Sequence, residues 1–142
     1  MKPIAIMVAL AAVLSGGCGL LDDPTPDEAR LVIQGDADKP VRVIISTEFV
    51  SQVNEQGQTR VVIFAADTLI TTLPYDQVYA ITEEQRFFVE AARLDADLDA
   101  LTMQVFIDRR KLFDEGGRLL ESAPYRFVYT FNQPVTRDIV VL

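Results

Sequence analysis

Two stretches of strict alternation constrain this chain more than any other feature. Leu101, Met103, Val105 and Ile107 alternate with Thr102, Gln104, Phe106 and Asp108; Tyr125, Phe127, Tyr129 and Phe131 alternate with Arg126, Val128 and Thr130. A period of two places each set on one face of an extended strand, whereas a helix would scatter it around its axis. Both stretches therefore predict β-strands with one buried face. The aromatic row could line a groove for an apolar ligand, but a period-two aromatic face more often packs a core, and Tyr79 and Phe88 are expected in the same layer.

Further strand candidates sit between turn signals, at 29–35, 41–49, 61–64, 67–73, 77–81 and 138–142. In the second, Val41, Val43 and Ile45 share a face. The run Val61-Val62-Ile63-Phe64 has no polar alternation and suggests burial on both sides. Turn chemistry falls at 36–40, at 54–59 around Gly57, at Pro74-Tyr75-Asp76 and at Asp114-Glu115-Gly116-Gly117. Residues 82–100 pull two ways. Thr82 and Gln85 fit a helix capping box, and Phe87, Ala91, Leu94, Leu98 and Leu101 recur at helical spacing. Phe87-Phe88-Val89 and aspartates at alternate positions favour a strand over 86–92, then a loop or short helical turn over 94–100, with a helix as the alternative. The expected fold class is all-β: an antiparallel β-sandwich of about seven to eight strands over residues 29–142. It resembles immunoglobulin-like or prealbumin-like sandwiches in architecture only, which implies no function.

The N-terminus has a different composition. Lys2 precedes the apolar run from Ile4 to Leu14, and Ser15-Gly16-Gly17 lead into Cys18, the sole cysteine. The run is shorter than the roughly 20 residues a spanning helix needs, and it reads as a secretory signal with a small-residue cleavage site. A lone cysteine in an exported chain has no intramolecular disulfide partner. The segment Val13-Leu14-Ser15-Gly16-Gly17-Cys18 resembles a bacterial lipoprotein signal, although Ser15 stands where that family commonly has leucine and Leu14 lies one place earlier. The resemblance implies that residues 1–17 are removed and that Cys18 is the lipid-attachment residue, its sulfur in a thioether to diacylglycerol and its new amine acylated. Two or more chains anchor stably where a single one is marginal. Gly19, in place of an aspartate after the cysteine, implies the outer membrane if the organism is a diderm. Residues 18–28, with Pro24, Pro26 and several acids, read as a tether, and nine residues of it span about 30 Å at most.

Composition removes several function classes. Thirteen basic residues fall to twelve once Lys2 leaves, against 21 acidic ones, a net charge of −9. Such a domain repels phosphate backbones, so nucleic acid is not an expected partner. The chain has no histidine, the commonest general base and transition-metal ligand, and no tryptophan. Asp95, Asp97 and Asp99 begin a calcium-loop pattern, but Ala100 holds the glycine place and Phe106 stands where a bidentate glutamate is required. They read as a solvated acidic loop, with calcium held in sandwich loops without that motif, Asp36 or Asp38 nearby, as the alternative. Arg109-Arg110-Lys111 reads as a charged strand end guarding a sheet edge, with acidic lipid headgroups as the alternative partner. Ser46, Ser51 and Ser122 lack a nucleophile-elbow context, and neighbours such as Glu83-Glu84 or Asp22-Asp23 point to opposite faces of an extended chain. No catalytic, metal or cofactor residues are assigned. The expected function is a non-enzymatic binding or assembly module of the bacterial envelope, held to the membrane by lipid and meeting an envelope protein. The alternatives are a carrier of an apolar ligand between the sheets and a carboxylate-dependent hydrolase.

Overall fold

The computed structural model describes residues 25–94, 100–118, 123–131 and 133–142, so the leader, Cys18 and most of the tether lie outside them. Ten strands follow in order: β1 (Glu28–Gly35), β2 (Val41–Val53), β3 (Thr59–Thr71), β4 (Tyr75–Ala80), β5 (Arg86–Arg93), β6 (Ala100–Ile107), β7 (Arg110–Arg118), β8 (Tyr125–Thr130), β9 (Gln133–Val135) and β10 (Ile139–Val141). They form a four-stranded sheet in the order β4-β1-β6-β7 and a six-stranded sheet in the order β10-β3-β2-β5-β8-β9. Every pairing is antiparallel except β10 with β3. The expected all-β antiparallel sandwich is present, with ten strands where seven to eight were expected.

The extra strands have local causes. Asp114 to Gly117 are not a turn but lie within β7, opposite Gln104 to Leu101 of β6. The β6–β7 reversal is made instead at Asp108 and Arg109, where Asp108 adopts φ +52°, a left-handed value that Asp tolerates better than most residues. Glycines had signalled a turn, yet both pair with β6 within the strand, Gly117 at φ +155°, a value that glycine tolerates. β9 contains Pro134, which a strand admits because β9 lies at the sheet margin and need not donate outward. Residues 86–93 are strand, as the aromatic triplet suggested, and the helical alternative fails there.

The main core lies between the sheets. Leu31 and Ile33 of β1 and Leu101, Met103, Val105 and Ile107 of β6 face Val41, Val43, Ile45, Phe87, Val89 and Phe127 of the larger sheet. The alternation along β6 is thus half buried, as its sequence dictates. Arg93 is also fully buried; its guanidinium donates to the Lys39 carbonyl (3.2 Å) and the Ala100 carbonyl (3.4 Å). Phe113, Tyr125 and Phe127 stack edge to face, with centroids 5.7 and 6.4 Å apart, so the aromatic row fills this end of the core with its own rings.

A second core lies on the other face of the six-stranded sheet. Phe49, Val61, Phe88, Val128 and Ile139 pack together there, with Ile44, Ile63, Val135 and Val141 at the rim. Phe88 therefore does not share a layer with Tyr125, Phe127 and Tyr129: Phe87 does, and Phe88 points the opposite way. Phe131 also leaves the row; it lies past the end of β8 at φ +45°, 56% exposed, under the Arg86 guanidinium at 5.2 Å. The second core exists because the sheet rolls. Register shifts between β2 and β3 at Ile45/Glu48 and Glu48/Phe49 turn Phe49 to the face opposite Val41, Val43 and Ile45, and such irregularities bend and twist a strand pair. Across the roll, Arg126 of β8 donates to the Ile139 carbonyl of β10 at 3.0 Å, joining the two sides of the sheet.

Candidate functional site

The same irregularity shapes the margin of the sandwich. The segments 61–64 and 67–73, expected as separate strands, form one continuous strand through Thr71, and the irregular register falls where they were divided. The Ser46 hydroxyl fills the bulge. It donates to the Ala65 carbonyl at 2.6 Å and accepts the Glu48 N–H at 3.0 Å, itself nearly buried. Ser46 is thus a structural hydroxyl. Replacing it with alanine strands a carbonyl and an amide in a tight gap and is expected to cost about 1–3 kcal/mol in denaturant unfolding, where an exposed serine costs about 0.5 kcal/mol or less.

Beside the bulge, a cleft of about 330 Å3 opens between the margins of the two sheets, lined by Ile45, Ser46, Thr47, Glu48, Ala65, Ala66, Asp67, Tyr79 and Ala80. One wall is the β2–β3 bulge and the other is β4. Tyr79 is half-buried, packs on Phe87 at 5.6 Å and shares a 2.5 Å hydroxyl–hydroxyl hydrogen bond with Tyr75. Burial first, then this hydrogen bond and the Asp67 charge, push the Tyr79 hydroxyl well above the ordinary phenol range. It stays a neutral donor and acceptor throughout physiological pH. Glu48 and Asp67 are exposed and form no ion pair among the described residues. Among the described residues no lysine or arginine lines the cleft.

The strand margins bounding the cleft are open. β10 pairs only with Thr59, Arg60 and Val61 of β3, so from Val62 to Thr71 no other strand among the described residues pairs with the outer side of β3. The burial expected on both sides of 61–64 holds for Val61 alone: Phe64 is 67% exposed and Val62 is exposed too. Among the described residues β4 likewise pairs only with β1. The opposite margins are guarded. β7 carries exposed Arg110, Lys111, Asp114 and Glu115, and β9 is short and holds Pro134, both devices that discourage strand addition. The basic cluster thus sits at a sheet edge.

The other residues singled out in the sequence do not gather into a site. Cys18, Asp22, Asp23, Asp95, Asp97, Asp99 and Ser122 lie outside the described residues. Asp36 accepts the Asp38 N–H at 3.1 Å, closing its own turn. Ser51 approaches Thr130 at 3.5 Å and has no part in the Ser46 hydrogen bonds. Glu83 and Glu84 are exposed in the turn before β5. Among the described residues, no three metal-ligating side chains come together. Sequence reasoning missed the cleft, whose signal was the break in strand pattern at Ala65-Ala66. Comparison with family models, with curated proteins and with solved structures gives no match.

Proposed function

We propose that this chain is a lipid-anchored, non-catalytic binding or assembly module of the bacterial envelope, tethered through Cys18 and meeting an envelope protein through the β3–β4 side of its sandwich. The observation that carries the contact surface is the asymmetry of the margins: charge and proline protect β7 and β9, while β3 beyond Val61 and β4 are uncovered and nearly free of charge. Exposed strand margins are the surfaces on which partner segments add by main-chain hydrogen bonding. The anchor rests on the leader pattern and on Cys18, and the outer membrane is the address that Gly19 favours.

Two measurements test this reading. Intact mass of the protein from cells is expected to show loss of residues 1–17 and added acyl mass, both absent in Cys18→Ala; a free thiol in the wild type removes the anchor. A photo-crosslinking residue at Ala66 is expected to capture one envelope protein in living cells. Recovery of lipids and abundant porins alone removes the assembly role.

A further inference from the structure

We propose that the β3–β4 cleft receives an extended, cationic segment of a partner polypeptide, which pairs with the open margin of β3 and places a lysine or arginine side chain between Glu48 and Asp67. The inference rests on the binding-module reading and names the chemistry of its partner.

Three features select this occupant. The first is continuity with pairing already present: β10 lies along β3 from Thr59 to Val61, and the Leu142 N–H donates to the Val61 carbonyl at 3.0 Å, so this margin accepts an added strand. The second is charge. The cleft presents two carboxylates, a neutral phenol and no cation, so a positive side chain gains and a negative one loses. The third is shape: a cavity of about 330 Å3 between the β2–β3 bulge and β4 admits one long side chain from a segment lying along the margin.

Charge also rejects the other available occupants. A second copy pairing through β3 would bring two sets of Glu48 and Asp67 together between chains that each carry a net −9 once Lys2 is removed. The chain's own residues 18–24, which precede the first described residue and are four positions or more before Glu28, the partner of Ala80, carry Asp22 and Asp23 and are rejected by the same charge.

The test uses the full chain in detergent together with an acetylated nonapeptide of alternating threonine, valine and lysine, and a matched peptide with glutamate for lysine. Hydrogen exchange is followed residue by residue. At millimolar concentration the lysine peptide is expected to slow amides within residues 65–71 by about tenfold or more, with β7 unchanged, while the glutamate peptide has no effect. In the Glu48→Gln/Asp67→Asn variant, whose two changes are exposed and leave Ser46 in place, the preference for lysine is expected to vanish. Equal protection by both peptides, protection at β7, or a preference that survives the double variant overturns the proposal. So does a dimer of the chain without peptide in sedimentation. If Ala66 captures an envelope protein in cells while neither peptide protects β3, the assembly role stands and the cationic-segment proposal falls.

Discussion

Phe88→Ala is expected to destabilise the domain by about 3–5 kcal/mol, the range for emptying a fully buried aromatic site. The expectation follows from the second core. Phe88 is 0% exposed and packs on Phe49 at 6.2 Å, on the sheet face that an ordinary sandwich leaves to solvent. Were that face wet, the same change would cost about 0.5 kcal/mol or less. The paired control is Phe131→Ala. Its ring belongs to the alternating aromatic row but is 56% exposed, with only the Arg86 stack to lose, so about 0.5–1 kcal/mol is expected. Urea unfolding followed by circular dichroism measures both. Equal costs would falsify the division into two cores.

The second large effect concerns Glu90. This carboxylate is 8% exposed and lies on the second-core face of β5, between Arg126 at 2.7 Å and Arg42 at 3.6 Å. Glu90→Leu leaves two partly buried guanidinium groups without their shared counter-charge. Breaking such a group from one side costs about 3–5 kcal/mol, because the remaining charges keep their desolvation penalty. For a domain of this size that corresponds to a fall in melting temperature on the order of 10–20 °C. Arg126 also holds the Ile139 carbonyl, so exchange at β10 is expected to accelerate more than exchange at β6. Pairing Glu90→Leu with Arg126→Met is expected to recover part of the loss, since removing both charges removes the penalty with the attraction. A single variant as stable as the wild type would show that Glu90 is solvated in solution.

Much of the architecture was legible in the sequence for a simple reason. A half-buried strand writes its exposure as alternation, and β6 does so over its whole length; β8 alternates in sequence, yet Val128 on its other face is buried in the second core. Turns that depend on their own residues were legible too: the Asn54 side chain accepts N–H groups from Gln56 and Gln58, and Gly57 supplies φ +79°. What failed was whatever depends on a strand's place in its sheet. An unbroken apolar run suggests that both faces are buried, as was expected of 61–64; the apolar triplet 87–89, read only as strand, is a second such run. Only the second is buried throughout, because β5 lies inside the sheet order while β3 beyond Val61 forms a margin. The glycines at 116 and 117 failed likewise, since pairing with β6 overrode their turn preference.

The candidate site was less legible than the fold. Its residues come from three strands and are ordinary one by one: a serine, two alanines, two carboxylates, a tyrosine. The sequence alone determined that the chain is a sheet protein with an acidic, histidine-free surface, because periodicity and charge are properties of short segments. Only the tertiary structure decided that the larger sheet rolls into a second core and that one side of the sandwich stays open. Both depend on where a bulge falls relative to the neighbouring strands, and that pairing energy involves residues far apart along the chain.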